Sequence, residues 1–285
     1  MFSMEKILLP VDFSERCIAS ARYARPLACQ FHSQVTLFHV LSHPAYEFGT
    51  EGFMPMVPQL TELAEDELDS FGASELAGLH TRRLVVPGDP STAIVDFARD
   101  EKMDLIVMPT HGYGPFRRFI LGSTAAKVLH DAECPVMTGT HLETIPERGS
   151  VRYDNIVCAI DLGPNSLAAL RWADSMARAF SSRLFLVHAI PSLPAADGDY
   201  YRPVAGSPLP THALEHMAAL QAEAGTSAMP IVAGGDVIKA VTRQARELSA
   251  DMLVIGRSTA NSILGRLRTQ AYSLIRESPC PVVSI

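Results

Sequence analysis

The chain is written twice, and this limits what it can fold into more than any feature of its composition. The stretch EKILLPVDFS from Glu5 is echoed by DNIVCAIDLGPNS from Asp154, VTLFHV at 35–40 by LFLVHA at 184–189, and DLIVMP from Asp104 by DMLVIG from Asp251. Both halves then close on Cys-Pro-Val, at Cys134 and at Cys280. Partners lie 149 residues apart for Asp12/Asp161, 147 for Asp104/Asp251 and 146 for Cys134/Cys280, so the order is kept while a few residues are lost. One fold must therefore serve both halves, and 285 residues suffice for two domains of ordinary size. Between the copies, THLETIPERGSVR (140–152) is polar, contains Pro146 and Gly149, and reads as a linker, which divides the chain into 1–145 and 146–285.

Within each copy, short runs rich in Val, Ile and Leu alternate with longer amphipathic segments. In the first half the pattern predicts strands at 5–11, 34–40, 81–86, 104–109 and 135–139, and helices at 14–31, 58–78, 90–101 and 122–131. Continuous apolar strands separated by helices require a parallel sheet covered on both faces. Each half is thus expected to be a doubly wound, Rossmann-like α/β domain with a five-stranded parallel sheet. Ser14 and Ser91 stand where helix N-caps are expected, and Gly88-Asp89-Pro90 reads as a tight turn into the third helix.

Composition narrows the partners. A net charge of −7 gives no general attraction for nucleic acid or an anionic membrane, and no apolar run approaches the ~18 residues of a membrane span. The five cysteines are odd in number and far apart, which suggests neither a disulfide frame nor a CxxC metal site and fits a reducing cytoplasm. Small molecules or proteins are the expected partners.

In open α/β sheets ligands bind beyond the carboxyl ends of the strands, where strand order reverses. Two stretches qualify: Pro10-Val11-Asp12-Phe13-Ser14 after the first strand, and MPTHGYGPFRRFILGST (108–124) after the fourth. Glycines let a backbone approach a phosphate closely, and the helix opening at Gly122-Ser123-Thr124 offers N–H groups and a positive dipole end to an anion. The loop suits a phosphate chain, and Asp12 is placed to accept hydrogen bonds from a base or sugar.

The duplicated α/β unit, with LLPVDFS at its start, GDP before the third helix, DLIVM before the loop, and Gly112-x9-Gly122-Ser123 followed by CPV, resembles the tandem form of the universal stress protein family over essentially the whole chain. ATP-binding members of that family carry G-x2-G-x9-G-[ST]. By resemblance, Pro10, Val11 and Asp12 would meet the adenine, Val40 and Met108 would line its pocket, and Gly112, Gly122, Ser123 and Thr124 would surround the ribose and phosphates. Pro109 stands in place of the family's first glycine, which removes an N–H and fixes φ near about −65°. In the second half Gly256 is kept, but Thr259 and Arg268-Thr269 replace the later glycines, so that site is expected to be closed or to take another ligand, and Asp161 to serve only a turn or helix cap. The resemblance also implies that CPVMTG and CPVVSI let the two halves dock as a pseudo-dimer.

Other features read more plainly. Gly112-Tyr-Gly114 lacks the third glycine of a dinucleotide fingerprint, and Arg117 and Arg118 read as solvated. His212 and His216 are one helical turn apart without a third ligand in sequence, and read as a surface pair. Cys134 and Cys280 read as small buried hydrophobes. The segment 43–58, with three prolines and two glycines, reads as an excursion able to cover the pocket or meet a partner. Walker, GxSxG and HExxH patterns are missing, which argues against a dedicated enzyme. The sequence therefore predicts a cytoplasmic stress-response regulator that binds ATP or another adenine nucleotide, with or without Mg²⁺, in its first half. It would signal to a regulatory protein partner through the ordering of the 110–121 loop, alone or as a homodimer. The rival readings are a scaffold that binds no nucleotide and a slow ATP hydrolase or phosphotransferase using the same pocket.

Overall fold

A computed structural model of the chain describes residues 2–42, 57–110, 121–139, 145–190, 209–257 and 266–285. It divides into two compact units, Met1–Val151 and Arg152–Ile285. The first contains β1 (Lys6–Val11), α1 (Glu15–Phe31), β2 (Gln34–Leu41), α2 (Val57–Ser70), β3 (Thr81–Pro87), α3 (Pro90–Asp100), β4 (Leu105–Val107), α4 (Ser123–Asp131) and β5 (Val136–Thr138). The second contains β6 (Asn155–Ile160), α5 (Ser166–Phe180), β7 (Arg183–Ile190), α6 (Leu209–Ala224), β8 (Met229–Gly234), α7 (Val237–Glu247), β9 (Met252–Ile255), α8 (Arg266–Glu277) and β10 (Val282–Ser284).

The strands of the first unit run in the order β3-β2-β1-β4-β5, all parallel, and those of the second repeat it as β8-β7-β6-β9-β10. The chain leaves β1 toward one edge of its sheet and later returns to β4 on the other side, so strand order reverses between them. Right-handed crossovers on either side of that reversal place α1 and α2 on one face and α3 and α4 on the other. Ile7, Leu8, Leu105 and Ile106 are fully buried in the middle of the first sheet, and Ile156, Val157, Leu253 and Val254 occupy the matching places in the second. Apolar runs without alternation are what a sheet buried on both faces needs.

The repeat extends to polar fastenings. Asp104 Oδ2 accepts hydrogen bonds from Glu5 N (2.7 Å) and Lys6 N (2.9 Å), and Asp251 Oδ2 accepts from Asp154 N (2.9 Å) and Asn155 N (2.8 Å). In each unit the carboxylate before the fourth strand ties down the entry to the first. Ser33 Oγ donates to Met4 O and Ser182 Oγ to Tyr153 O, again at matching positions. Phe13 and Leu162, each just past the tip of a first strand, take φ of 64° and 61°. The same sharp turn leads into α1 and α5.

Three local expectations need correction. Ser14 does stand at the N-cap of α1, but its hydroxyl makes no capping bond and donates instead to Asp12 Oδ1 at 2.6 Å. Asp89, not Ser91, caps α3: Asp89 Oδ1 accepts from Thr92 N (2.9 Å) and from the hydroxyl of Ser91 (2.7 Å), because Pro90 fills the first helical position and the cap is the residue before it. The predicted helix 58–78 ends at Ser70, since Gly72 turns the chain with φ of +63°.

The turn that follows holds Glu75, buried against α1. Glu75 Oε1 meets Arg22 at 3.0 Å and Arg148 at 3.4 Å, Ser74 Oγ donates to Oε2 at 2.7 Å, and Arg22 also donates to Pro146 O at 2.5 Å. Pro146 and Arg148 are thereby held on the first unit. Burial pushes the Glu75 carboxyl up, but the hydrogen bonds from Ser74, Arg22 and Arg148 outweigh it and bring the pKa from 4.5 to about 2. A depressed carboxyl pKa contributes stability that is complete above the unfolded value and is lost as pH falls through the folded one. Glu75→Gln is expected to cost the first unit about 1–3 kcal/mol near neutral pH. Urea unfolding as a function of pH checks it: the variant should lose less stability than the parent between pH 4.5 and about 2.

Candidate functional site

The tips of β1 and β4 and the start of α4 meet around a cavity of about 310 Å³. Pro10, Val11 and Asp12 line it from β1, Val40 from β2, Met108 from the end of β4, and Gly122, Ser123 and Thr124 from the start of α4. Gly112, the one nucleotide-site candidate not placed, lies outside the described residues, as do Gly114, Arg117, Arg118 and Thr259 and 43–56 of the excursion. The structure also brings in residues that the sequence reading missed. Phe38 and His39 enter from β2, Pro90 and Ile94 from α3, and Cys17 and Thr110 from either side of the crevice. Strand alternation alone gave no way to tell which β2 side chains face this end. Pro90 is the last residue of GDP and Cys17 sits three residues after Ser14, so the motifs themselves marked their neighbourhood.

Asp12 is engaged from below. Its Oδ1 accepts from Ser14 N (3.0 Å) and Ser14 Oγ (2.6 Å), and Cys17 Sγ lies 3.0 Å away as a further donor. His39 Nδ1 donates to Val11 O at 2.8 Å, and Phe13 lies against the imidazole, tilted by 37° with centroids 4.4 Å apart. At the far wall Gly122 N donates to Thr110 O at 2.9 Å, so the base of the 111–121 loop is drawn shut. That bond corrects one expectation: the Gly122 amide is spent within the protein. The helical ladder of α4 starts with Ala126 N donating to Gly122 O, so the amides of Ser123, Thr124 and Ala125 precede it and are the ones a helix start offers.

The second unit has a cavity in the equivalent place, larger at about 570 Å³, so this end of the sheet is not closed. Asp161 lines it, with Oδ1 accepting from Gly163 N (2.8 Å), a turn bond, and from Ser166 Oγ (3.1 Å), while the N-cap of α5 is Asn165. His188 Nδ1 donates to Ile160 O at 3.0 Å, as His39 does to Val11 in the first copy. Gly256 is held against α5: a Cβ there would lie 3.2 Å from Asn165 Cβ, and Asn165 Nδ2 donates to Arg257 O. The helix expected to open at Arg268-Thr269 begins earlier, at Arg266.

The Usp model, the universal stress protein family, matches residues 4–138 and again 152–285. The chain belongs to the universal stress protein family, in tandem form. Among similar proteins are a universal stress protein of Methanocaldococcus jannaschii, 32% identical over 136 residues (47% of this chain, 80% of that protein), and one of Thermus aquaticus, 32% identical over 132 residues (46% and 95%). The crystal structure of a universal stress protein from Archaeoglobus fulgidus is similar along 99% of this chain and 96% of its own, with a TM-score of 0.68 at 20% identity, and supports the two-domain fold. Among the described residues no helix is long and apolar enough to cross a membrane.

Chemistry at the floor of this universal stress protein's first cavity is restrained. Burial, and then the adjacent Asp12 carboxylate, push the Cys17 thiol up to about 12, and burial does the same to Cys158 and Cys280. Cys280 is buried as expected, while Cys134 is only half-buried. A thiol reacts as its thiolate. At about pH 8 a disulfide reagent is expected to label exposed Cys29 in the native protein and to reach Cys17, Cys158 and Cys280 only after denaturation, as peptide mapping would read out. Fast native labelling at Cys17 would contradict a protonated thiol beneath Asp12.

Proposed function

We propose that this tandem universal stress protein is a cytoplasmic stress-response regulator that binds ATP or a related adenine nucleotide, with or without Mg²⁺, in the cavity of its first unit. One observation carries the reading: the β1 tip, the β2 side chain Val40, the β4 end and the amide-bearing start of α4 converge on the same space. Its walls divide by chemistry. Val11, Val40, Ile94 and Met108 give an apolar slot, with Phe38 and His39 supplying ring faces for a flat heteroaromatic base. Asp12, at one end of that slot, offers acceptor capacity to the base edge or the sugar. At the other end the amides of Ser123, Thr124 and Ala125 and the dipole of α4 favour phosphate oxygens.

A volume of about 310 Å³ stands at the lower end of small-molecule sites, enough for the base and sugar with the phosphates running out toward α4. The same geometry offers little to a catalyst. Asp12 is hydrogen-bonded to Ser14 and Cys17, and Cys17 is held protonated. Nucleotide therefore acts in this proposal as a bound signal, shifting the 110–121 segment toward a state that a regulatory protein partner, or a second copy of the chain, reads.

Mass spectrometry of material released from the purified protein, followed by calorimetric titration of ATP into the emptied protein, tests the proposal. One adenine nucleotide per chain is expected. Gly122→Leu should reduce affinity by tenfold or more, about 1.4 kcal/mol for each factor of ten, by crowding the approach to α4. No binding with or without Mg²⁺ would overturn the reading in favour of a scaffold, and phosphate release that tracks the protein and vanishes in Gly122→Leu would favour a hydrolase.

A further inference from the structure

The second cavity repeats the position of the first but not its chemistry. Its walls are aliphatic, with Ile160 and Ile190 at the strand ends, Ala213 from α6, Val241 from α7 and Leu274 from α8. No Phe, Tyr or Trp side chain lines it among the described residues, so the ring faces that Phe38 supplies in the first cavity have no counterpart. The start of α8 also differs, since position 268, aligned with the N-cap Gly122, falls inside the helix instead of ahead of it. What the second cavity has instead is an added wall. Helix α6 contributes Leu209, His212, Ala213 and His216, whereas α2, its counterpart, contributes nothing to the first cavity among the described residues.

The polar side chains of this lining other than Asp161 can each donate a hydrogen bond. Arg257 brings a guanidinium, and His188, His212 and His216 bring imidazoles. His188 uses Nδ1 on Ile160 O, and His212 Nδ1 lies 3.3 Å from Glu215 Oε2. The one carboxylate of the lining among the described residues, Asp161, has Oδ1 occupied by Gly163 N and Ser166 Oγ. Leu209, at the rim, is 55% exposed, so the mouth carries apolar surface into solvent.

We propose that the second cavity binds a small amphiphile with an aliphatic body and a single carboxylate-type head, and not a nucleotide. The aliphatic walls bury the body, which is favourable by roughly 25 cal/mol for each Å² removed from water. Arg257 and His216 receive the head through charge-assisted hydrogen bonds, and a volume of about 570 Å³ lies well within the range of small-molecule sites. This assignment does not rest on nucleotide binding by the first unit.

Calorimetric titration of decanoate into the full chain, stripped of carried-over lipid on a hydrophobic resin, tests it, with decanol as the uncharged control. One saturable decanoate site is expected, undisturbed by excess ATP and by Gly122→Leu. The double variant His216→Ala/Arg257→Gln should weaken decanoate by about tenfold or more, the effect of one lost charge-assisted hydrogen bond, and leave decanol unchanged. Val241→Trp should abolish binding of both, with circular dichroism checking that it folds. Absence of saturable binding, displacement by ATP, loss in Gly122→Leu, or equal effects of the double variant on decanoate and decanol would each overturn the proposal.

Discussion

The carboxylate of Asp104 fixes how far β4 can slide along β1, and the level of every residue at the carboxyl end of the first sheet follows from that register. By taking both Glu5 N and Lys6 N, it sets Leu105 opposite Ile7 and Ile106 opposite Leu8. Counting on from those pairs brings Asp12 level with Thr110, the residue whose carbonyl receives Gly122 N. Asp251 does the same in the second unit, where Ile156 stands opposite Met252, and the same count brings Asp161 level with Arg257. A slip of one residue would turn the buried set of β4 to the wrong face. The fastening is far from both cavities, yet it decides which side chains share their rims.

With the frame held constant, the copies differ where side chains meet the crevice. Cys17 in the first unit is replaced by Ser166 in the second, and both donate toward the aspartate at the strand tip. Phe38 gives way to Val187, so a ring is lost, and among the described residues α6 supplies a wall that α2 does not. Duplication preserves what positions the backbone, namely the aspartate fastenings, the turns at Phe13 and Leu162 and the caps at Asp89 and Asp236. It leaves the lining free to diverge.

Much of this was legible in the sequence because the repeat, the apolar strand runs and the GDP turn are local signals. The position of the crevice was legible too, since strand order reverses wherever a doubly wound sheet is built. What could not be read were the choices that depend on tertiary neighbours. Ser91 looks like a cap until Pro90 is seen to move that role to Asp89, and the helix from 57 looks continuous to 78 until Gly72 takes a left-handed φ. His39 and Phe38 give no sequence sign of facing the cavity, and the second cavity, expected to be closed or to take another ligand, is open and takes a wall from α6.

Pro109 illustrates the same point at the residue where the first copy departs from its family pattern. Its counterpart in the second copy is Gly256, and there the glycine has an internal use: it lets Asn165 pack within 3.2 Å of where a Cβ would sit, close enough for the amide to bond Arg257 O. In the first copy the residue at the place of Asn165 is Arg16, so that close approach is absent and the glycine loses its reason. A proline there gives up its amide, and Gly122 N donates to Thr110 O one residue further on. The exchange of glycine for proline thus goes with the change of helix neighbour.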